Sequence, residues 1–181
     1  MTARETPVGS SSKMTTEERR ETTSEPEDRL GGLKIGLVAS AGGHLDELLK
    51  IAGPCISRRT FAVTTSATVN GAFGGAIRTY AVADCNRQHL LRVMVLVLQC
   101  ARILLRERPD VIVSTGAAVG CVTCLLAKTL GARVIWLDSI TNVNRPSLSG
   151  RLVRPFADLF LVQWPELARG RRRVEYAGVV I

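Results

Sequence analysis

Short, unbroken runs of apolar and β-branched residues alternate with longer amphipathic stretches along this chain, and that alternation leaves few folds open. The runs fall at residues 33–39, 60–65, 77–82, 111–114, 133–137 and 158–162, with a shorter candidate at 174–176. Strands this apolar need cover on both faces, and helix-length connections between them are the signature of βαβ units. Helices are expected at about 44–51, stopped near Gly53-Pro54, at 86–108, stopped by Pro109, and from the turn at 115–120 to about Leu130, closed by Gly131. Residues 70–75 read as a flexible loop. The fold class is therefore α/β, a Rossmann-like, doubly wound parallel sheet with helices on both faces.

Ligands of such sheets bind at the carboxyl ends of the strands. That rule selects 40–44, 114–120 and 138–146. In the first, Ser40-Ala-Gly42-Gly43-His44 joins a strand to a helix, where small residues let a ligand approach the backbone and free helix amides favour an anion. It is no dinucleotide fingerprint: a third glycine is missing, and no acid follows about 20 residues on. His44 sits in a first helical turn, which disfavours its imidazolium; the neutral ring could accept a proton from a hydroxyl, or simply cap and pack. Ser114-Thr115-Gly116 opens a second small-residue turn without the Lys-Ser/Thr of a nucleotide-triphosphate loop. Asp138 and Ser139 close the fifth strand, where Asp138 could bind a hydroxyl or cap a loop.

Charge divides the chain. Residues 1–30 carry 5 Lys+Arg against 7 Asp+Glu, a net of −2, and are rich in Ser and Thr, so we expect a disordered tail; the rest carries 19 against 9, a net of +10. The folded domain is expected over 33–181. No apolar core marks the tail as a secretion signal. Such a basic domain suits anionic partners, although the few aromatics and the lack of a recognised motif argue against nucleic acid. The helix at 86–108 is too short and too charged to span a bilayer. Arg92, Gln99 and Arg106 repeat every seven residues, with Arg102 on the same face, so the helix is either a core helix with a basic outer stripe or one lying on an anionic membrane surface. The five cysteines form no disulfide framework, and Cys121 and Cys124, although spaced as CxxC, fall inside an apolar helical run that favours packing. No metal or other cofactor is expected, since no carboxylate pair or DxD occurs.

Gly42-Gly43-His44, Ser114-Thr-Gly-Ala117, Asp138-Ser139, Pro146-Ser-Leu-Ser-Gly-Arg-Leu152 and Phe156-Ala-Asp-Leu-Phe-Leu-Val-Gln-Trp-Pro-Glu166 together resemble, in order and spacing, the oligosaccharide-biosynthesis subunit family related to the amino-terminal half of the transferase that makes lipid II. Its members include the acceptor-side subunit of the split UDP-GlcNAc transferase of dolichol-linked oligosaccharide synthesis; the chain is most similar to the bacterial capsule and exopolysaccharide type, PssD/CpsF. The resemblance implies the amino-terminal half of a GT-B glycosyltransferase, holding a polyprenyl-pyrophosphate-linked acceptor on the cytoplasmic face of the membrane. The UDP-sugar would be bound by a separate catalytic subunit, as expected from a sequence that stops just past one α/β domain. It places Gly42, Gly43, His44, Ser114, Thr115, Gly116, Asp138 and Ser139 on the acceptor pyrophosphate side. Attachment would rest on Arg92, Arg102 and Arg106 and on the partner, which would dock near Trp164, Pro165 and Glu166, aromatic and turn residues of the kind that anchor interfaces.

Overall fold

The computed structural model describes residues 32–66, 73, 75, 77–85, 90–170 and 173–180. The tail expected at 1–30, most of the loop expected at 70–75 and the start expected for the long helix at 86–89 lie outside them. The strands are β1 (Ile35–Ala39), β2 (Phe61–Thr64), β3 (Arg78–Ala81), β4 (Val111–Ser114), β5 (Arg133–Leu137), β6 (Leu159–Val162) and β7 (Val174–Tyr176). All pair in parallel, in the order β3-β2-β1-β4-β5-β6-β7. The winding reverses between β1 and β4, where Val38 pairs with Ser114, and Ser114 in turn with Trp136 of β5. That register aligns the carboxyl ends of β1, β4 and β5 at the point where a sheet of this kind opens a crevice.

The helices are α1 (Gly43–Ala52), followed by a 3-10 turn at Gly53–Cys55, then α2 (Leu90–Glu107), α3 (Ala117–Thr129), α4 (Leu148–Val153) and α5 (Pro165–Ala168). The two-residue side-chain alternation of strands sorts the core into two layers. Ile35, Leu37 and Ala39 meet Leu45 and Leu48 of α1 on one face. Val38, Ile112, Val134 and Trp136 meet Leu96, Leu104, Val119 and Val153, from α2, α3 and α4, on the other. Truncating a residue as buried as Leu37 to Ala costs about 2–5 kcal/mol.

Two elements differ from the sequence expectation. Residues 148–153, for which no element was expected, form α4, because Ser147 caps it: its hydroxyl accepts from the Gly150 amide at 2.8 Å. On α2, Arg92, Arg102 and Arg106 are exposed as expected, but Gln99 is not part of their stripe. Its side-chain oxygen accepts from the Ala83 amide at 2.8 Å and ties the helix to the end of β3. Nor is the outer face purely basic. Leu90 and Leu91 are 76% and 84% exposed, and Met94, Val95 and Leu98 are open as well, because α2 buries only Leu96, Cys100, Leu104 and Glu107. No described helix is long and apolar enough to cross a membrane.

Candidate functional site

The turn after β1 delivers His44. Gly42, at φ 92°, sits where a side chain would be strained, and its carbonyl accepts from the Leu45 and Asp46 amides to start α1. No side chain caps this helix. The hydroxyl of Thr115 donates to the His44 carbonyl, so the turn after β4 holds the first turn of α1 from below. Gly116, at φ 136°, lies against the imidazole: a Cβ there would sit 2.6 Å from His44 Cε1 and 2.8 Å from Nδ1. The imidazole can hold this position only while 116 carries no side chain. Ala117, next in the chain, also has a positive φ of 63°, a sparsely populated conformation for a residue with a side chain.

The eight acceptor-side candidates separate into two layers. Gly42, Gly43 and His44 reach the surface, with buried Gly116 under the ring. Ser114, Thr115, Asp138 and Ser139 lie beneath as supports. Ser114 Oγ accepts from the Gly116 amide at 3.3 Å. The Asp138 carboxylate accepts from the Ser147 amide at 2.9 Å, the Ser147 hydroxyl at 2.6 Å and Trp136 Nε1 at 3.2 Å, so it locks the 139–147 loop onto α4. The Ser139 hydroxyl donates to Glu47 at 3.0 Å.

Glu47 and Gln163 complete the floor. Both are buried. Glu47 Oε1 also accepts from the Ile140 amide at 3.0 Å and from Gln163 Nε2 at 3.4 Å. Gln163 donates further to the Asp138 carbonyl and accepts from the Val180 amide at 2.7 Å, which draws the segment after β7 onto the site. Neither residue was singled out from sequence. Glu47 was findable, since it stands one helical turn from His44 and therefore shares its face. Gln163 had the signal of a polar residue directly after a buried strand.

His44 lines the mouth of a groove of about 590 Å³ whose walls come from three helices: Val93 of α2, Ala118 and Val122 of α3, and Leu148 and Leu152 of α4. Cys85 and Cys121 also line it, and burial pushes both thiols up, so neither supplies a thiolate at neutral pH. Among the described residues no group of His, Cys, Asp or Glu is placed to hold a metal ion. Beside the groove, Arg145, Arg151 and Arg154 line a smaller hollow of about 370 Å³. A groove that is apolar along its helices, with His44, Thr141, Asn142, Ser147 and Ser149 as its polar lining and arginines of the same 145–154 segment in the neighbouring hollow, suits a molecule with an apolar tail and an anionic head.

The remaining candidates lie apart from this mouth. Arg92, Arg102 and Arg106 are on the exposed face of α2. Trp164 is half-buried and donates its Nε1 hydrogen to the Ile140 carbonyl at 2.7 Å, bracing the 138–142 loop from behind; Pro165 begins α5, and Glu166 is exposed.

Residues 71–180 match the family model described as "Oligosaccharide biosynthesis protein Alg14 like". The chain is 42% identical over 82 residues to UDP-N-acetylglucosamine transferase subunit ALG14 of Yarrowia lipolytica, a stretch covering 42% of this chain and 38% of that protein. It is 44% identical over 77 residues to the Schizosaccharomyces pombe subunit, covering 40% of this chain and 37% of that one. For the Mus musculus subunit the match is 33% over 85 residues, 44% of this chain and 39% of the other. The matched stretch thus spans about two fifths of these relatives. Among solved structures, Acinetobacter baumannii MurG aligns with a TM-score of 0.64 at 14% identity, over 78% of this chain and 44% of that one. A UDP-N-acetylglucosamine 2-epimerase from Rickettsia bellii aligns at 0.59 and 14%, over 81% and 44%. At such identity the likeness concerns the fold alone, and the fold is the class expected: a Rossmann-like parallel sheet with helices on both faces.

Proposed function

Because the chain belongs to the Alg14-like family of oligosaccharide biosynthesis proteins, we propose that it is the acceptor-side subunit of a two-component UDP-sugar glycosyltransferase. The observation that carries this reading is the groove itself, apolar along three helices and ending at His44 beside an uncapped helix start. A polyprenyl chain fits such walls, and its pyrophosphate would meet the amides of Gly43 and His44, where a helix N-terminus favours negative charge. A catalytic partner would bring the nucleotide sugar over the same mouth, docking near Trp164, Pro165 and Glu166. Transfer would be direct displacement at the donor anomeric carbon by an acceptor hydroxyl, with His44 taking the proton.

The finer setting is part of the same proposal. The motif resemblance favours a polyprenyl-pyrophosphate-linked saccharide of capsule or exopolysaccharide assembly on the cytoplasmic face of the membrane, whereas the relatives matched above are fungal and mammalian transferase subunits. The exposed arginines and leucines of α2 would rest the protein on an anionic leaflet. Each arginine near such a surface contributes about 1 kcal/mol. Replacing Arg92, Arg102 and Arg106 together by Gln is therefore expected to weaken binding to anionic vesicles on the order of 10²-fold, as read by co-sedimentation.

Reconstitution tests the whole. The purified chain is expected to transfer nothing alone, and to support transfer from UDP-GlcNAc to a polyprenyl-pyrophosphate acceptor once the nucleotide-binding subunit is added. His44→Ala should lower that turnover on the order of 10²-fold or more. Tight UDP-sugar binding and turnover by the chain alone would overturn the reading. Full turnover of His44→Ala would leave the chain as a recruiting and acceptor-holding scaffold without a catalytic group.

A further inference from the structure

Nδ1 of His44 and Oε2 of Glu47 are both buried, and neither has a hydrogen-bond partner. They stand 3.9 Å apart, one turn along α1. An unpaired buried polar atom costs about 1–3 kcal/mol, so two of them side by side are poor material for a scaffold. The geometry around them is nonetheless tightly specified. Glu47 is 6% exposed, and its other oxygen is held by Ser139, Ile140 and Gln163, which fixes the carboxylate and turns Oε2 toward the ring. The ring in turn lies on Gly116, and its backbone is held by Thr115.

We propose that Glu47 is the positioning residue of His44: Oε2 accepts the Nδ1 hydrogen, which leaves the lone pair on Nε2 at the groove mouth. Nε2 is not among the buried unpartnered atoms, and His44 lines the groove, so the two ring nitrogens already occupy different environments. A 3.9 Å separation needs a shift of about 1 Å to become a hydrogen bond, and such bonds are often long before a ligand closes the site. The other charged groups on the packed elements are Asp46 and Lys50 of α1, which line a second hollow with His44 and Glu47, and Asp138 after β5, already committed to Ser147 and Trp136. The thiols of Cys85 and Cys121 face the groove uncharged.

For its part in turnover this assignment rests on the transferase reading; the pairing itself does not. In transfer, the acceptor oxygen bonds to the anomeric carbon of a UDP-sugar, the bond from that carbon to the diphosphate oxygen breaks with its electrons leaving on UDP, and the hydroxyl proton passes to Nε2. Glu47 then faces an imidazolium and stabilises it.

Glu47→Gln separates these claims. Its amide oxygen still accepts from Ser139 and Ile140, but its NH₂ now faces Nδ1 and favours the tautomer with hydrogen on Nε2, which cannot take a proton. Nitrogen-15 spectra of the full-length chain are expected to show Nδ1–H in the parent and Nε2–H in the variant. Glu47→Asp, which keeps the charge on a shorter arm, should retain the Nδ1–H form. Identical tautomers in parent and Glu47→Gln would overturn the pairing, whatever happens to turnover. In the reconstituted pair, turnover of Glu47→Gln should fall on the order of 10²-fold. A flipped tautomer with full turnover would uphold the pairing and overturn the role of His44 as base.

Discussion

Glu47 and Glu107 are the buried glutamates among the described residues, and they stand at opposite ends of one sheet. At the amino end, Glu107 is completed on every side: Lys34 Nζ lies 2.6 Å away, Arg78 Nη1 3.0 Å away, and the Tyr80 hydroxyl donates to it as well. Asp158, at the same end, takes both Lys128 and the Val134 amide, and Asp110 accepts the Lys34 amide at 2.7 Å. At the carboxyl end Glu47 keeps one oxygen without a partner, beside a histidine in the same condition. The difference is one of purpose. The hydroxyls of Thr64 and Thr79 are also buried without a partner, but each stands as a lone neutral group; an unpaired carboxylate oxygen facing an unpaired imidazole nitrogen is the opening a fold keeps for another molecule.

The largest effect expected from this contrast comes at Gly116. An alanine there would place Cβ against the imidazole and hold φ in an unfavourable region, so His44 must move. Transfer by the reconstituted pair should fall on the order of 10²-fold, while stability drops by about 1–3 kcal/mol. A Gly116→Ala protein that loses stability but keeps full transfer would place the carboxyl end with the scaffold and break the comparison.

Exchanging each glutamate for glutamine sharpens it. Glu107→Gln removes a charge shared by two cations. Lys34 and Arg78 are partly solvated, so we expect a loss of about 1–2 kcal/mol in chemical denaturation, with transfer per folded molecule unchanged. Glu47→Gln keeps the acceptor toward Ser139 and Ile140, so its stability cost should be smaller. Equal costs at the two positions would erase the distinction between a completed and an open carboxylate.

The sheet was legible because its information is local. Each run of apolar residues was long enough to mark a strand, and Pro109 and Gly131 marked helix ends. The stop of the long helix and strands at 111–114, 133–137 and 174–176 follow from such signals alone. What was not legible depended on distant partners. α4 needs Ser147 as cap and Asp138 as clamp, and a window along the sequence shows neither bond. Arg92, Arg102 and Arg106 were readable as a face by their spacing, whereas the exposure of Leu90 and Leu91 depends on how much of α2 the sheet can cover. At the site, His44 and its glycines were visible as a motif. That Ser114 and Asp138 would lie under the surface, and that Glu47 and Gln163 would form its floor, follows only once β1, β4, β5 and β6 are side by side.

Acid supplies the smallest and most specific test of the contrast. Burial acts on Glu107 to raise its pKa, yet the bonds from Lys34, Tyr80 and Arg78 outweigh it and hold the carboxyl at about 2, below the 4.5 of a free side chain. A carboxyl whose folded value is depressed stabilises the fold fully above its unfolded pKa and loses that contribution as pH falls toward the folded one. The gap in unfolding free energy between the parent and Glu107→Gln should therefore be constant above about pH 5, narrow as pH falls below 4.5 and be nearly gone near 2. Asp158 is also held down, against burial, by Lys128 and the Val134 amide, so the parent itself weakens in acid and the comparison must be made at matched pH. Urea unfolding at pH 6, 4 and 3 measures the gap directly. A gap at pH 3 as wide as that at pH 6 would mean that Lys34 and Arg78 add nothing ionic, and the completed carboxylate would then owe its stability to packing rather than to charge.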